Sequence, residues 1–300
     1  MKVVVLGAGA LGSLFGGKLA LSHDVVLVGR EAHVAAIGRK GLRIAGAKRT
    51  PARIKAVTNA SGLERPDLLL VTVKSYDTAA AMRGARGLIG PPTTVLSLQN
   101  GITTLDILDK CVPKGRLIGG WTSHGATVLE PGAIRHAGAG DTVIGELDGR
   151  RSARTEEIAR AFSESGIKTI LSRDIRREIW LKGLVNSAIN PLTGIVRCEN
   201  GEIASNSELS CVAKMICEEG SEVARASGFD IGAGEAFRRT MRVAVQTARN
   251  RSSMLQDIEL GRRTEVDFLN GAITELAYRY KIEAPVNGAL TSIIKAISKS

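Results

Sequence analysis

Aromatic rings are scarce in this chain: Phe, Trp and Tyr together make up 3% of 300 residues. Reading bases or sugars by stacking needs such rings, so the shortage argues against that class of binding and leaves the cores to Val, Ile, Leu and Ala. The four cysteines, Cys111, Cys198, Cys211 and Cys217, form no Cys-x-x-Cys pair, and none has a histidine at zinc-site spacing. Reduced structural thiols and no bound metal are therefore expected. No apolar run reaches the roughly 18 residues that would span a bilayer. The N-terminus enters an apolar strand without a signal-peptide layout, which predicts a cytoplasmic protein with no membrane partner. A block of five or more like charges is also missing, although the net charge is +11. Scattered basic residues suit polyanionic cofactors and small acids, and nucleic acid is not an expected partner.

What is present fits an ordinary globular chain, 44% hydrophobic and 24% charged, long enough for two domains. Lys2–Leu6, Asp24–Val28, Asp67–Val73 and Thr93–Leu98 read as buried strands. Helical stretches run to about Leu21, over His33–Arg39, over Thr78–Leu88 and toward Leu108. Strands alternating with helices predict a parallel, doubly wound sheet. From Leu117 to Glu146 the texture changes. Ala133–His136 and Thr142–Ile144 look like short strands, before a helix near Ser152–Glu164 and a strand near Lys168–Leu171. Beyond Ser172 the pattern is helical almost to the end, with breaks expected at Pro191–Gly194, Gly228–Gly234 and Pro285. The expectation is an α/β Rossmann-type dinucleotide-binding domain over residues 1–172, followed by an all-α domain over 173–300.

Gly7, Gly9 and Gly12 stand between a strand and a helix, and a second strand arrives about 15 residues later, the spacing of a dinucleotide fingerprint. The turn Gly7-Ala8-Gly9-Ala10-Leu11-Gly12 would give the tight bend, the close approach of pyrophosphate and the helix–strand packing, with free amides at the helix start. The second strand ends on Val28-Gly29-Arg30 rather than on Asp or Glu. Arg30 can pair with a 2′-phosphate through two charge-assisted hydrogen bonds, so NADP is expected, with Glu31 the opposing feature. Lys74 and Asn100 close the tips of two further strands, where ligands of such sheets bind. Asn100 can equally cap the turn or helix that follows.

In the helical half, Lys182, Asn186 and Asn190 follow one another at four-residue steps in an apolar segment. Each step turns about 400°, so the three polar heads keep to one helix face. Polar groups buried there are costly without a partner, which points to a polar small molecule. A solvated surface stripe is the alternative, and Leu181, Leu184, Val185 and Ile189 leave it little room.

The motifs occur in a specific order: Gly7-x-Gly9-x-x-Gly12, Val71-x-Val-Lys74, Gln99-Asn100-Gly101, Ser123-His124-Gly125-Ala126, Lys182-x-x-x-Asn186-x-x-x-Asn190-Pro191-Leu-Thr193, Ser252-Ser253-Met254-Leu-Gln256-Asp257 and Arg263-Thr264-Glu265-x-Asp267-x-x-Asn270-Gly271. In this the chain resembles the ketopantoate reductase (2-dehydropantoate 2-reductase) family over nearly its whole length. The resemblance implies reduction of 2-dehydropantoate to (R)-pantoate by NADPH, on the route to pantothenate and coenzyme A. It implies that Lys182 is catalytic, with Glu265 as the acidic partner that orients the substrate, and that Asn186, Asn190 and Ser253 bind the substrate. Arg30, Lys74 and Asn100 match positions that hold cofactor or border the reacting centre, with Asn100 expected at the substrate and Glu265 at the cofactor as well.

Other readings of single residues stay open. Glu265 follows Arg262-Arg263 and could form a surface ion pair, while Ser253 could be a helix N-cap. His124 reads as a structural hydrogen-bonder, and Asp257 and Asn270 as packing positions. A reductase of another 2-oxo or 3-hydroxy acid shares this layout, and a non-catalytic NADP sensor would be marked by loss of Lys182 or Glu265. Apolar helix faces such as Leu209–Ile216 and Val266–Leu276 can pack internally or across a twofold axis, so a homodimer and a monomer are both open.

Overall fold

A computed structural model describes residues 1–46 and 53–298. By contacts the chain divides into two compact units: Met1–Gln99 with Thr104–Arg176, and Asn100–Thr103 with Arg177–Ser300.

The first unit contains β1 (Lys2–Leu6), α1 (Ala10–Leu19), β2 (Asp24–Val28), α2 (Glu31–Lys40), β3 (Arg43–Ala45), β4 (Lys55–Val57), β5 (Leu68–Val71), α3 (Thr78–Gly84), β6 (Thr94–Ser97), α4 (Thr104–Asp109), β7 (Leu117–Thr122), β8 (Gly125–Glu130), β9 (Ala133–Gly138), β10 (Thr142–Glu146), α5 (Ala153–Glu164) and β11 (Thr169–Leu171). The main sheet has the order β11-β10-β7-β6-β5-β1-β2-β4. From β7 to β4 every pairing is parallel; β10 runs antiparallel to β7. β5 and β6 are buried at every position and β1 at all but the first, as strands covered on both faces must be. Val3, Val5, Leu27, Leu70 and Leu96 pack with Leu14 and Phe15 of α1, and Phe162 of α5 meets Phe15 edge-on at 5.6 Å.

Two strands of the altered stretch, β7 and β8, carry no clear alternation in sequence. β7 holds Gly119, Gly120 and Trp121 yet is buried throughout, and Gly120 leaves room for Leu96 and Leu98, on which a Cβ would press. β8 joins β9 and β3 in a separate three-stranded sheet. The helix expected over Thr78–Leu88 stops at Gly84, and a 3-10 turn takes over at Arg86–Leu88.

The second unit is helical: the bulk of α6 (Ile175–Val196), then α7 (Glu202–Ser205), α8 (Ser207–Ala226), α9 (Ala233–Gln246), α10 (Ser253–Glu259), α11 (Asn270–Tyr280) and α12 (Pro285–Ile297). Leu184, Ala188, Ile216, Val223 and Ile273 form the centre of its core, and Gly220 gives Leu184 the space to seat. Cys217 faces this core and Cys211 faces solvent.

One expectation fails here. The break at Pro191–Gly194 is absent, and α6 runs through Pro191 to Val196. Proline removes the donor that would serve the carbonyl of Ser187 four residues back. The side-chain amide of Asn270 donates to that carbonyl instead, at 2.9 Å, so the helix continues.

Candidate active site

In the first unit, the turn after β1 consumes its own leading amides. Gly7 N and Ala8 N both donate to Val28 O, at 3.0 and 2.8 Å, and Gly9 N donates to Gly7 O at 2.7 Å. The amides of Ala10, Leu11 and Gly12 are the orphan donors of the α1 N-terminus, the first helical bond being Ser13 N to Gly9 O. Gly7 needs its glycine: its φ is +107°, and a Cβ would lie 2.5 Å from Val73 N. At Gly12 a Cβ would strike the Gly7 carbonyl. Gly9 is different. Its φ is −81°, and nothing lies within 4 Å of an added Cβ, so nothing in the first unit's packing demands a glycine there. The open backbone there and the free amides beyond it form a donor set that suits a pyrophosphate.

Thr72, unassigned by the sequence reading, pins this turn by donating to Gly7 O at 2.9 Å. Arg30 is exposed at the N-cap of α2, and its guanidinium lies 3.9 Å from the Asp77 carboxylate. Lys74 precedes the short 3-10 turn Ser75–Asp77 beyond β5. Gln99 ties two strand tips together, its amide donating to Val73 O at 2.9 Å and to Thr78 Oγ1 at 2.8 Å. His124 bonds the ring of His136 at 3.0 Å, and burial beside that histidine drives its pKa down to about 4.

The second unit brings Lys182, Asn100 and Glu265 into one chain of contacts. Lys182 Nζ donates to Asn100 Oδ1 at 2.9 Å, and the Asn100 amide reaches Glu265 Oε2 at 3.5 Å. Three residues far apart in sequence meet because short-range features seat the 100–103 segment. Gly101 takes φ +108°, and Ile102 N donates to Phe268 O at 2.9 Å, in the 3-10 turn that Glu265 opens. The Ile102 side chain packs over Gly183, where a Cβ would come within 2.5 Å of it. Gly183 is thus what lets the segment lie beside Lys182, a role visible in the sequence only as a gap between Lys182 and Leu184.

Burial pushes the Lys182 ammonium down to about 8, and the Glu265 charge opposes that shift without cancelling it. Glu265 is buried at 7% exposure. Asp267, two residues on, meets Arg263 at 3.5 Å and Lys295 at 2.5 Å. Asn186, half-buried, and Asn190, 7% exposed, follow Lys182 along the same helix. Ser253 is exposed at the first position of α10. The N-cap is Ser252, whose oxygen accepts from Leu255 N at 3.1 Å and lies 2.8 Å from Thr193 Oγ1 of α6. Ser252 therefore fixes the helix end that presents Ser253.

The family model described as ketopantoate reductase PanE/ApbA matches residues 3–149, and that of the family's C-terminal part matches 174–298. The chain belongs to the ketopantoate reductase family. It is 42% identical over 299 residues to a 2-dehydropantoate 2-reductase of Pyrococcus horikoshii, covering 99% of this chain and 97% of that protein. A ketopantoate reductase structure from Ralstonia eutropha superposes with a TM-score of 0.89 at 31% identity, covering 99% and 98% of the two chains. A ternary structure of D-mandelate dehydrogenase with NADH and anilino(oxo)acetate superposes with a TM-score of 0.93 at 28% identity and the same coverage. Members of this family are NAD(P)-dependent oxidoreductases, and among the described residues no cluster of side chains could hold a metal ion.

Proposed function

We propose that the chain reduces the C2 ketone of 2-dehydropantoate to (R)-pantoate, with NADPH as the hydride donor, in pantothenate and coenzyme A biosynthesis. The observation that carries this reading is the Lys182–Asn100–Glu265 constellation. Negative charge builds on the carbonyl oxygen as hydride arrives. The Lys182 ammonium stabilises that charge and then gives the oxygen its proton. A pKa of about 8 leaves the ammonium protonated at neutral pH and makes it a better acid than an ordinary lysine. Asn100 holds the ammonium in place. Glu265 accepts the substrate's hydroxyl proton, which discriminates against 2-oxo acids without one. Asn186 and Asn190 hold the substrate's polar groups, and Ser253 with the α10 amides takes its carboxylate.

The amides of Ala10, Leu11 and Gly12 hold the pyrophosphate, and Lys74 borders the nicotinamide end. Arg30 takes the 2′-phosphate, which supports NADPH over NADH; Asp77 beside it weakens that preference. This reading keeps residues 1–172 as the nucleotide-binding part and 173–300 as the helical substrate part. A cytoplasmic setting goes with it, with no nucleic-acid or membrane partner, and a homodimer and a monomer both fit it. A second reading, reduction of a different 2-oxo acid, is favoured by the likeness to D-mandelate dehydrogenase. The test is oxidation of NADPH, and then NADH, followed by absorbance with 2-dehydropantoate, pyruvate, 2-oxoisovalerate and phenylglyoxylate. Turnover of 2-dehydropantoate far above the others supports the first reading. Preference for phenylglyoxylate replaces it with the second.

A further inference from the structure

Three side chains behind α6, the half-buried Glu219 and the buried Asn287 and Asn270, form a relay that no catalytic step uses. Glu219 of α8 accepts from Val286 N and Asn287 N at 2.9 and 3.0 Å, and from Asn287 Nδ2 at 2.7 Å. A carboxylate only accepts, so Glu219 fixes which way the Asn287 amide points. Asn287 Oδ1 then faces Asn270 and accepts from its Nδ2 at 3.0 Å. The other Nδ2 hydrogen goes to Ser187 O at 2.9 Å, the carbonyl that Pro191 leaves without a helical donor. Asn270, Asn287 and Ser187 are each 0% exposed, so water cannot stand in for the Asn270 amide at the Ser187 carbonyl.

We infer that Asn270 is a positioning residue for the substrate site. It replaces the amide that Pro191 lacks, and so holds Asn190 in helical register with Lys182. The break it repairs lies between Ser187 and Pro191. Lys182 and Asn186 precede it, and Asn190 lies within it. Loss of the donor therefore moves Asn190 more than Lys182 and reads in substrate KM rather than in kcat. The kinetic part rests on the functional reading above; the hydrogen-bond substitution does not.

The test is a double-mutant cycle on the full chain, with Asn270→Leu, Pro191→Ala and both together. Asn270→Leu should raise the KM for 2-dehydropantoate about tenfold or more, since misplacement by an ångström can cost up to about a hundredfold, with kcat changed less and NADPH Kd unmoved. Alanine at 191 restores the main-chain donor, so Pro191→Ala/Asn270→Leu should recover most of the KM and part of the lost Tm. If Asn270→Leu does not fold, Asn270→Ala enters the same cycle. An equal KM penalty in both backgrounds, or none in either, overturns the assignment. If the native chain does not turn over 2-dehydropantoate, the functional reading fails by itself, and the cycle read as Tm still decides whether Asn270 and Pro191 are coupled.

Discussion

The two candidate sites are built in opposite ways. In the first unit the candidate binding surface is backbone: six consecutive residues make a turn whose first three amides are spent on Val28 O and Gly7 O and whose next three stay open. In the second unit the surface is side chain, assembled from Asn100, Lys182 and Glu265, which lie 82 and 165 residues apart along the chain as counted from Asn100. A backbone site needs glycines at set spacing and little else, so it is compact in sequence and tolerant of what surrounds it. A side-chain site needs a scaffold that brings distant residues to hydrogen-bond range, and the scaffold residues carry no chemical signature of their own.

The contrast can be broken most severely at Lys182. Lys182→Ala should lower kcat for 2-dehydropantoate about a thousandfold, as for loss of an acid that also stabilises developing charge, while NADPH binding measured by fluorescence stays unchanged. An equal loss of NADPH affinity would show that the two sites are not separable. Arg30→Ala should raise the KM for NADPH roughly tenfold or more, with little effect on NADH, as expected for loss of a charge-assisted pair. Asp77→Asn should shift preference the opposite way.

Gly9 sharpens the comparison. Gly9→Ala finds open space, so Tm should hold within about a degree while the NADPH Kd rises about tenfold from steric contact with the pyrophosphate. Gly12→Ala strikes the Gly7 carbonyl, and should cost about 2 kcal/mol of stability in the absence of any ligand. A large fall in Tm for Gly9→Ala would mean that the turn, not the ligand, requires that glycine.

The smallest effect is the pH dependence. The proposed mechanism uses protonated Lys182, so kcat/KM should fall as pH rises through about 8, and Glu265→Gln should move that limb to lower pH by removing the charge that holds the proton. Stability moves the other way. The unfolded lysine titrates near its ordinary 10.5, so between about 8 and that value the unfolded chain binds more protons, and this group's contribution to stability rises with pH. A pH–rate profile and melting curves over the same range check both signs.

Legibility in the sequence follows the same division. The strand–turn–helix unit and the buried strands β1, β2, β5 and β6 are plain, because glycine spacing and unbroken apolar runs are local signals. Lys182, Asn186 and Asn190 show as polar interruptions in an apolar helix. The supports do not show. Gly183 and Ile102 seat Asn100, yet nothing in either residue's neighbourhood announces a partner 81 positions away. β7 hides because its small residues serve neighbours in the sheet, and α6 hides because the group that carries it through Pro191 comes from Asn270. Propensity sees the proline and cannot see the donor.

The segment Asn100–Thr103 bears on how such a chain can be divided. The two family matches end and resume at residues 149 and 174, which invites treating the chain as two exchangeable cassettes joined there. Asn100, however, is grouped by its contacts with the helical unit and supplies the acceptor for Lys182. A helical cassette excised after residue 173 would leave behind the oxygen that receives the ammonium's hydrogen bond and the amide that meets Phe268. Chimeras between relatives would therefore have to carry the tetrapeptide with the distal half, as a second graft, for the lysine to keep its native partner.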